Sequence, residues 1–227
     1  MISTRTIRVL AALASTILLT SAFAATKADL ESALSHDGLK QINVKDLELV
    51  YARPGATLTG YGQFMLDPIY VAFRKDWNPT RPGSNIKLGS GDREAIRTKV
   101  GKLVGEEFVK ELQGKGNYKI ATAAGPDVLR VKVSVVNLYV NSPDTGSAGV
   151  LTGTVSAGDM TLYLELFDSE TGEVLARVVD RRAGRSAGDR LTISNRVENA
   201  AQAQEIASGW ARILRNALDK ARGIGKK

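Results

Sequence analysis

Two stretches of this chain, residues 92–113 and 195–222, carry apolar side chains at helical spacing along one side only. No other feature limits the fold as strongly, because a one-sided stripe has to be covered by something. In the first stretch Ile96, Val100, Leu103, Val104, Phe108 and Leu112 keep the spacing, and Gly114 is placed to end the helix. Gly101 and Gly105 weaken it or let another element pack close. In the second, Val197, Ala200, Ala201, Gln204, Ala207, Trp210, Ile213, Leu214, Ala217, Leu218 and Ala221 form a stripe with one polar member. Asn195 can cap this helix with Glu198 three residues on, and Gly223 ends it. The remaining apolar residues read as strands, so both stripes are expected on one sheet.

Those strands are legible from period-two alternation. Leu129, Val131, Val133 and Val135 alternate with Arg130, Lys132 and Ser134, and the phase then slips at Val135-Val136, which predicts a bulge. Met160, Leu162, Leu164 and Leu166 alternate in the same way, the chain turns at 168–173, and Val174 to Asp180 returns as the second arm of a β-hairpin. Leu47 to Tyr51 reads as a strand, Phe64 to Phe73 as another interrupted by Pro68, and Tyr118 to Ala121 as a short one. Asp29 to His36 reads as a short helix stopped by Gly38. Trp77 to Gly91 and the basic stretch Ala183 to Thr192 read as loops, as does Asn141 to Gly158 with its four glycines. A structureless loop of that last length is unusual in a compact domain and is a candidate for function. The expected fold class is therefore α+β: one domain, with an antiparallel or mixed sheet of five or six strands and two long helices on one face.

The first 24 residues stand apart from this domain. Arg5 and Arg8 precede an apolar run from Val9 to Leu19, and Ser21-Ala22-Phe23-Ala24 places small residues at −3 and −1 of a cut after Ala24. A basic start, a short apolar core and a small-residue site make an export signal, and the run is shorter than a membrane anchor needs. Residues 25–227, which are 203 in number, would then form the working domain. Two of the seven net positive charges leave with the signal, so the domain carries +5. The expected location is the periplasm or the exterior, with no transmembrane segment after cleavage.

Absences narrow the chemistry. The chain has no cysteine, so disulfides, thiolate nucleophiles and thiolate metal sites are excluded, together with the acylated cysteine of a lipoprotein. Its one histidine, His36, has no Gly-x-Ser-x-Gly elbow elsewhere to serve and reads as an exposed residue ahead of a turn. Gly60-Tyr61-Gly62 and Gly89-Ser90-Gly91 do not continue into phosphate-loop patterns and read as turns. No catalytic residue, metal or cofactor is expected, and aromatic residues do not interleave with basic ones in any nucleic-acid motif.

Two clusters remain as candidate binding residues. Arg74, Asp76 and Trp77 are either a recognition patch with an aromatic platform or a core-edge tryptophan beside solvated charges. Asp180, Arg181, Arg182 and Arg185 are either an anion site, for instance for a phosphorylated lipid headgroup, or a strand end whose arginines pair with Asp180 and Asp189. A hydrolase built on Asp67, Asp76 and Asp180 is a further alternative and needs two of these carboxylates within roughly 10 Å.

Several segments in a fixed order resemble one bacterial family. They are Tyr51-Ala52-Arg53-Pro54-Gly55-Ala56, Leu66-Asp67-Pro68-Ile69-Tyr70-Val71-Ala72-Phe73, Gly125-Pro126-Asp127-Val128-Leu129-Arg130-Val131, the turn from Glu165 to Ala176, Val179-Asp180-Arg181-Arg182-Ala183-Gly184 and the Trp210-Ala211-Arg212 helix. Together they are similar to the family catalogued as domain of unknown function 3313, described as envelope lipoproteins, from about Leu39 to Arg222. The resemblance implies an envelope protein and brings no active site with it. The missing cysteine departs from a lipoprotein. The expectation is a non-catalytic envelope protein that binds or assembles with an envelope protein or an anionic envelope component, with the loop 141–158 as one candidate surface.

Overall fold

The computed structural model describes residue 32 and residues 34–80, 85–140, 157–183 and 196–224. Residues 1–24, where an export signal is expected, Arg185, Asn195 and residues 141–156 of the glycine-rich loop lie outside the described residues. Eight strands form one mixed sheet: β1 (Lys40–Ile42), β2 (Leu49–Ala52), β3 (Gln63–Leu66), β4 (Tyr70–Phe73), β5 (Lys119–Ile120), β6 (Val128–Val140), β7 (Ala157–Asp168) and β8 (Val174–Ala183). Their order is β1-β2-β8-β7-β6-β3-β5, with β4 also paired to β6. The count corrects the expected five or six. The short strand expected at 118–121 is present as β5, and the two additional strands are β4, split off from the expected strand 64–73, and β1, which has three residues, all exposed. Segments of that length carry no readable period and exist because a neighbour offers a hydrogen-bonding edge.

The centre of the sheet is the alternating part of the sequence. β6 pairs antiparallel with β7, Leu129 opposite Asp168 through Val136 opposite Thr161, and β7 pairs antiparallel with β8. Between β7 and β8, Asp168 Oδ1 accepts from the N–H groups of Glu170 and Thr171 and from the Thr171 hydroxyl, while Gly172 takes the left-handed φ of 70° that closes the turn. The register of β6 shifts between Val136 and Tyr139, where Asn137 has φ 53°, so the bulge lies just past the predicted slip.

The predicted strand 64–73 divides at its proline. β3 runs parallel to β6 opposite Val128–Val131, and β4 runs parallel to the same edge opposite Ser134–Leu138. Pro68 between them has no N–H to give to a ladder, so the chain breaks pairing there and resumes two residues on.

Helix α1 (Ser90–Val109) continues through a wider turn to Lys115, and α2 (Arg196–Ala221) is the second long helix. Val104, Phe108 and Leu112 of the first and Ala207, Trp210, Ala211 and Leu218 of the second share one core with Val131, Val133, Val135, Leu162 and Leu164. The same face of the sheet thereby covers part of each stripe; in the second the buried line runs through Ala203, Ile206, Ala207, Trp210, Ala211, Leu214 and Leu218, while Ala201 and Ala217 of the expected stripe are exposed. Gly223, with φ 69°, ends α2 as expected, Ile224 N–H donating to the Asp219 carbonyl at 2.7 Å.

The seam between the helices is polar. Glu107 and Glu111 are buried there, with Gln204 Nε2 donating to Glu107 Oε1 at 2.6 Å and Ser208 Oγ to Glu111 Oε1 at 3.2 Å. Burial works against the Glu111 charge, but Lys115 and Arg215 prevail and hold its carboxyl below the ordinary range.

A smaller cluster covers the opposite face of the sheet. Leu34 and Leu39 pack there on Leu49, Tyr51 and Val179. Between them His36–Gly38 makes one tight turn, with Asp37 and Gly38 at φ 66° and 75°. Among the described residues no helix is long and apolar enough to cross a membrane.

Candidate functional site

The arrangement of β4 creates a concavity. Arg74 N–H donates to the Leu138 carbonyl at 3.0 Å, which turns that position toward β6. Because a strand presents its backbone groups to alternate sides, Phe73 and Val71 turn theirs to the other edge. Among the described residues no strand pairs there. On the helix side α1 leans over this edge. A side-chain carbon at Gly101 would stand 3.5 Å from the Ile69 carbonyl and 3.7 Å from Val71, so the glycine permits the close approach.

Between edge and helix lies a groove of about 880 Å³. Arg74, Lys75, Arg93, Arg97 and Lys102 line it against a single carboxylate, Glu94. Phe73 and Trp77 stack at 4.1 Å with an interplanar angle of 9°, and Trp77 is buried, its indole N–H donating to the Val140 carbonyl at 2.9 Å. Arg93 lies over the Trp77 ring at 5.1 Å and Arg97 over Phe73 at 5.2 Å. The aromatic pair therefore belongs to the core edge and also carries two guanidinium groups into the groove.

Arg74 and Asp76 come together directly, Nε to Oδ1 at 2.6 Å, and the guanidinium holds the Asp76 carboxyl below its ordinary range. Arg74 also sits 4.0 Å above the Tyr139 ring and 3.6 Å from Asp159 Oδ2. Arg181 reaches the same Asp159 oxygen at 3.0 Å. Asp159 thus joins one residue from each of the two candidate clusters.

Asp180 and Arg182 are placed elsewhere. Asp180 is buried on the helix-facing side of β8, accepting from Trp210 Nε1 at 2.7 Å, Arg182 Nε at 2.8 Å and the Glu48 backbone N–H at 3.0 Å. Arg182 continues to the Asp46 carbonyl at 2.9 Å. This set ties α2, β8 and the approach to β2 together.

The three carboxylates of the hydrolase alternative are scattered. Asp180 on β8 is three strand spacings from β4, or about 14 Å. Asp67 follows the β3 register at Val131 and Arg74 the β4 register at Leu138, seven residues of β6 or about 23 Å apart. Asp67 is moreover held by Arg130 in a bidentate pair at 2.8–3.2 Å. These residues do not form an acid–base pair.

Sequence reading missed the helix contribution to the groove. Arg93 and Arg97 are four residues apart on the stripe's own side of α1 and partly buried, and Lys102 follows five residues later on the exposed side. That spacing was visible, but only the position of β4 beneath it turns a helix face into one wall of a groove. It also missed a buried network on the other sheet face. There Arg177 donates to Glu165 at 3.2 Å, to Asp37 at 2.5 Å and to the His36 carbonyl at 3.1 Å.

Known proteins supply one strong match. The model of the family described as "Protein of unknown function (DUF3313)" matches residues 30–214. Among solved structures the chain is similar to the PelC dodecamer from Paraburkholderia phytofirmans, with a TM-score of 0.37 and 14% identity over 73% of this chain and 96% of that one. It is also similar to a Xanthomonas campestris protein of the family DUF330, with a TM-score of 0.37 and 12% identity over 76% of this chain and 91% of that one. No curated protein matches the sequence.

Proposed function

This chain belongs to the family of proteins of unknown function DUF3313, and we propose that it is a non-catalytic cell-envelope protein that binds an anionic partner in the groove between β4 and α1. The groove itself carries this reading: Lys75, Arg93, Arg97 and Lys102 line a concave, aromatic-backed wall with one carboxylate, Glu94, while Arg74 at its end is engaged by Asp76 and Asp159. The envelope location rests on the export signal read in residues 1–24. N-terminal sequencing of the protein recovered from the periplasm should begin at Ala25, and an intact Met1 in the membrane fraction would overturn the proposed release.

The groove is tested with fluorescent dextran sulfate, an anion with no peptide backbone. Lys102 is well exposed and Arg97 partly so, and among the described residues their ion pairs lie within their own helix, with Glu106 and Glu94 respectively. The double variant R97E/K102E should therefore keep its fold and bind the probe about tenfold or more weakly at physiological salt. Equal binding by variant and parent, with a common salt dependence, would show diffuse attraction to net charge and end the groove reading.

A further inference from the structure

We infer that the partner is an extended acidic peptide segment that adds a strand to the open edge of β4; this rests on the groove being the binding site. A phosphate or sulfate uses hydrogen-bond donors alone. The edge of β4 instead offers donors and acceptors in alternation, the N–H and C=O groups of Val71 and Phe73, and a second backbone satisfies both kinds. Pro68 ends the edge on one side and the chain leaves the sheet after Phe73 on the other, so about four residues, or about 13 Å of extended chain, can pair.

The walls specify what that segment carries. Val71 and Phe73 send their side chains toward the helix-side core, and beyond them Arg93, Arg97 and Lys102 overhang the edge. An added strand presents every second side chain to that overhang, so acidic residues belong at alternate positions. On the opposite face Tyr70 is 62% exposed beside the same edge. The intervening residues of the partner therefore meet an aromatic ring, and apolar or β-branched side chains suit them. The recognised pattern is acidic and apolar in strict alternation over four to six residues. Arginines beside an edge that no described strand pairs also discourage pairing between identical copies of this basic chain, which leaves the edge to an acidic partner.

The probe is a fluorescein-labelled octapeptide alternating glutamate and valine, titrated into the purified protein at physiological salt. Two comparators have the same composition: a scrambled sequence, and the alternating sequence N-methylated at alternate backbone positions on the edge that would pair. Binding of the alternating peptide about tenfold or more tightly than either comparator, with loss in R97E/K102E, is the expected result. Equal binding of all three peptides, or binding only to vesicles of phosphatidylglycerol, overturns strand addition while leaving an anion groove in place. Probe-independent binding that R97E/K102E does not weaken removes the groove reading as well, so the two failures are distinct.

Discussion

Trp210→Ala is expected to destabilise the protein by about 3–5 kcal/mol, the range for truncating a large aromatic residue in a core that cannot collapse around the void. Trp210 is 2% exposed and belongs to the core shared by both helices and the sheet. Its ring fills space that its neighbours do not otherwise reach, and its indole N–H ends on the buried Asp180 at 2.7 Å. Alanine removes both contributions, and Trp210→Phe separates them. Phenylalanine retains most of the volume and leaves Asp180 with Arg182 and the Glu48 N–H, so its cost should be about 1–2 kcal/mol. Urea denaturation reads the difference: at a slope near 2 kcal/mol/M, the alanine midpoint falls by about 2 M and the phenylalanine midpoint by about 0.5–1 M. A Trp210→Ala midpoint within about 0.3 M of the parent would mean that α2 does not pack on β8 as described.

That joint shows what could be read beforehand and what could not. Trp210 was visible as a member of a helical stripe, because the period of that stripe is local. Its partner Asp180 stood out only as one charge in a basic run, and nothing local says that its carboxylate faces inward. The same divide runs through the fold. β6, β7 and β8 alternate apolar and polar residues and were legible, since a half-buried strand writes its burial into its sequence. β1 holds no buried residue and was not, whereas β5 was read as a short strand at 118–121 although neither of its residues is buried. Phe64 to Phe73 was legible as extended chain with a break at Pro68, but parallel pairing of both pieces to one edge of β6 is a fact of topology. The groove follows the same rule. Phe73, Arg74 and Trp77 drew notice by their residue types, whereas Arg93, Arg97 and Lys102 resembled any solvated helix face until α1 was laid beside β4. Buried glutamates are the hardest case. Glu107 and Glu111 sit beside the apolar stripe of α1 and resemble solvent-facing residues paired with Lys110 and Lys115, and Gln204, Ser208 and Arg215 arriving from α2 complete the partners that make their burial tolerable.

Arg177 poses the same problem on the far face of the sheet, with a second large effect to measure. Its side chain is 5% exposed and its partner Glu165 10%. Tyr163 OH donates to Glu165 Oε1 at 3.2 Å and Lys132 Nζ lies 3.2 Å from Oε2. Removing the guanidinium in Arg177→Met therefore strands a buried carboxylate with one neutral donor and one lysine that is half in solvent. A loss of about 3–5 kcal/mol is expected. The double variant E165M/R177M should recover most of it, because the groups left over, Lys132 and Asp37, are 49% and 45% exposed and can turn to water. The acid limb of stability supplies an independent check. The hydrogen bond from Arg177 holds the Asp37 carboxyl below its ordinary value. A carboxyl depressed in the folded state stabilises fully above its unfolded value near 4, and the contribution is lost as pH falls through the lower folded value. R177M should flatten that part of the pH profile while leaving the neutral plateau lower throughout. Urea midpoints of the parent, both single variants and the double between pH 2.5 and 7 measure the coupling directly. A coupling within experimental error of zero would place Glu165 and Arg177 in water, and the N-terminal turn that caps them would then have no charge to hold it on the sheet.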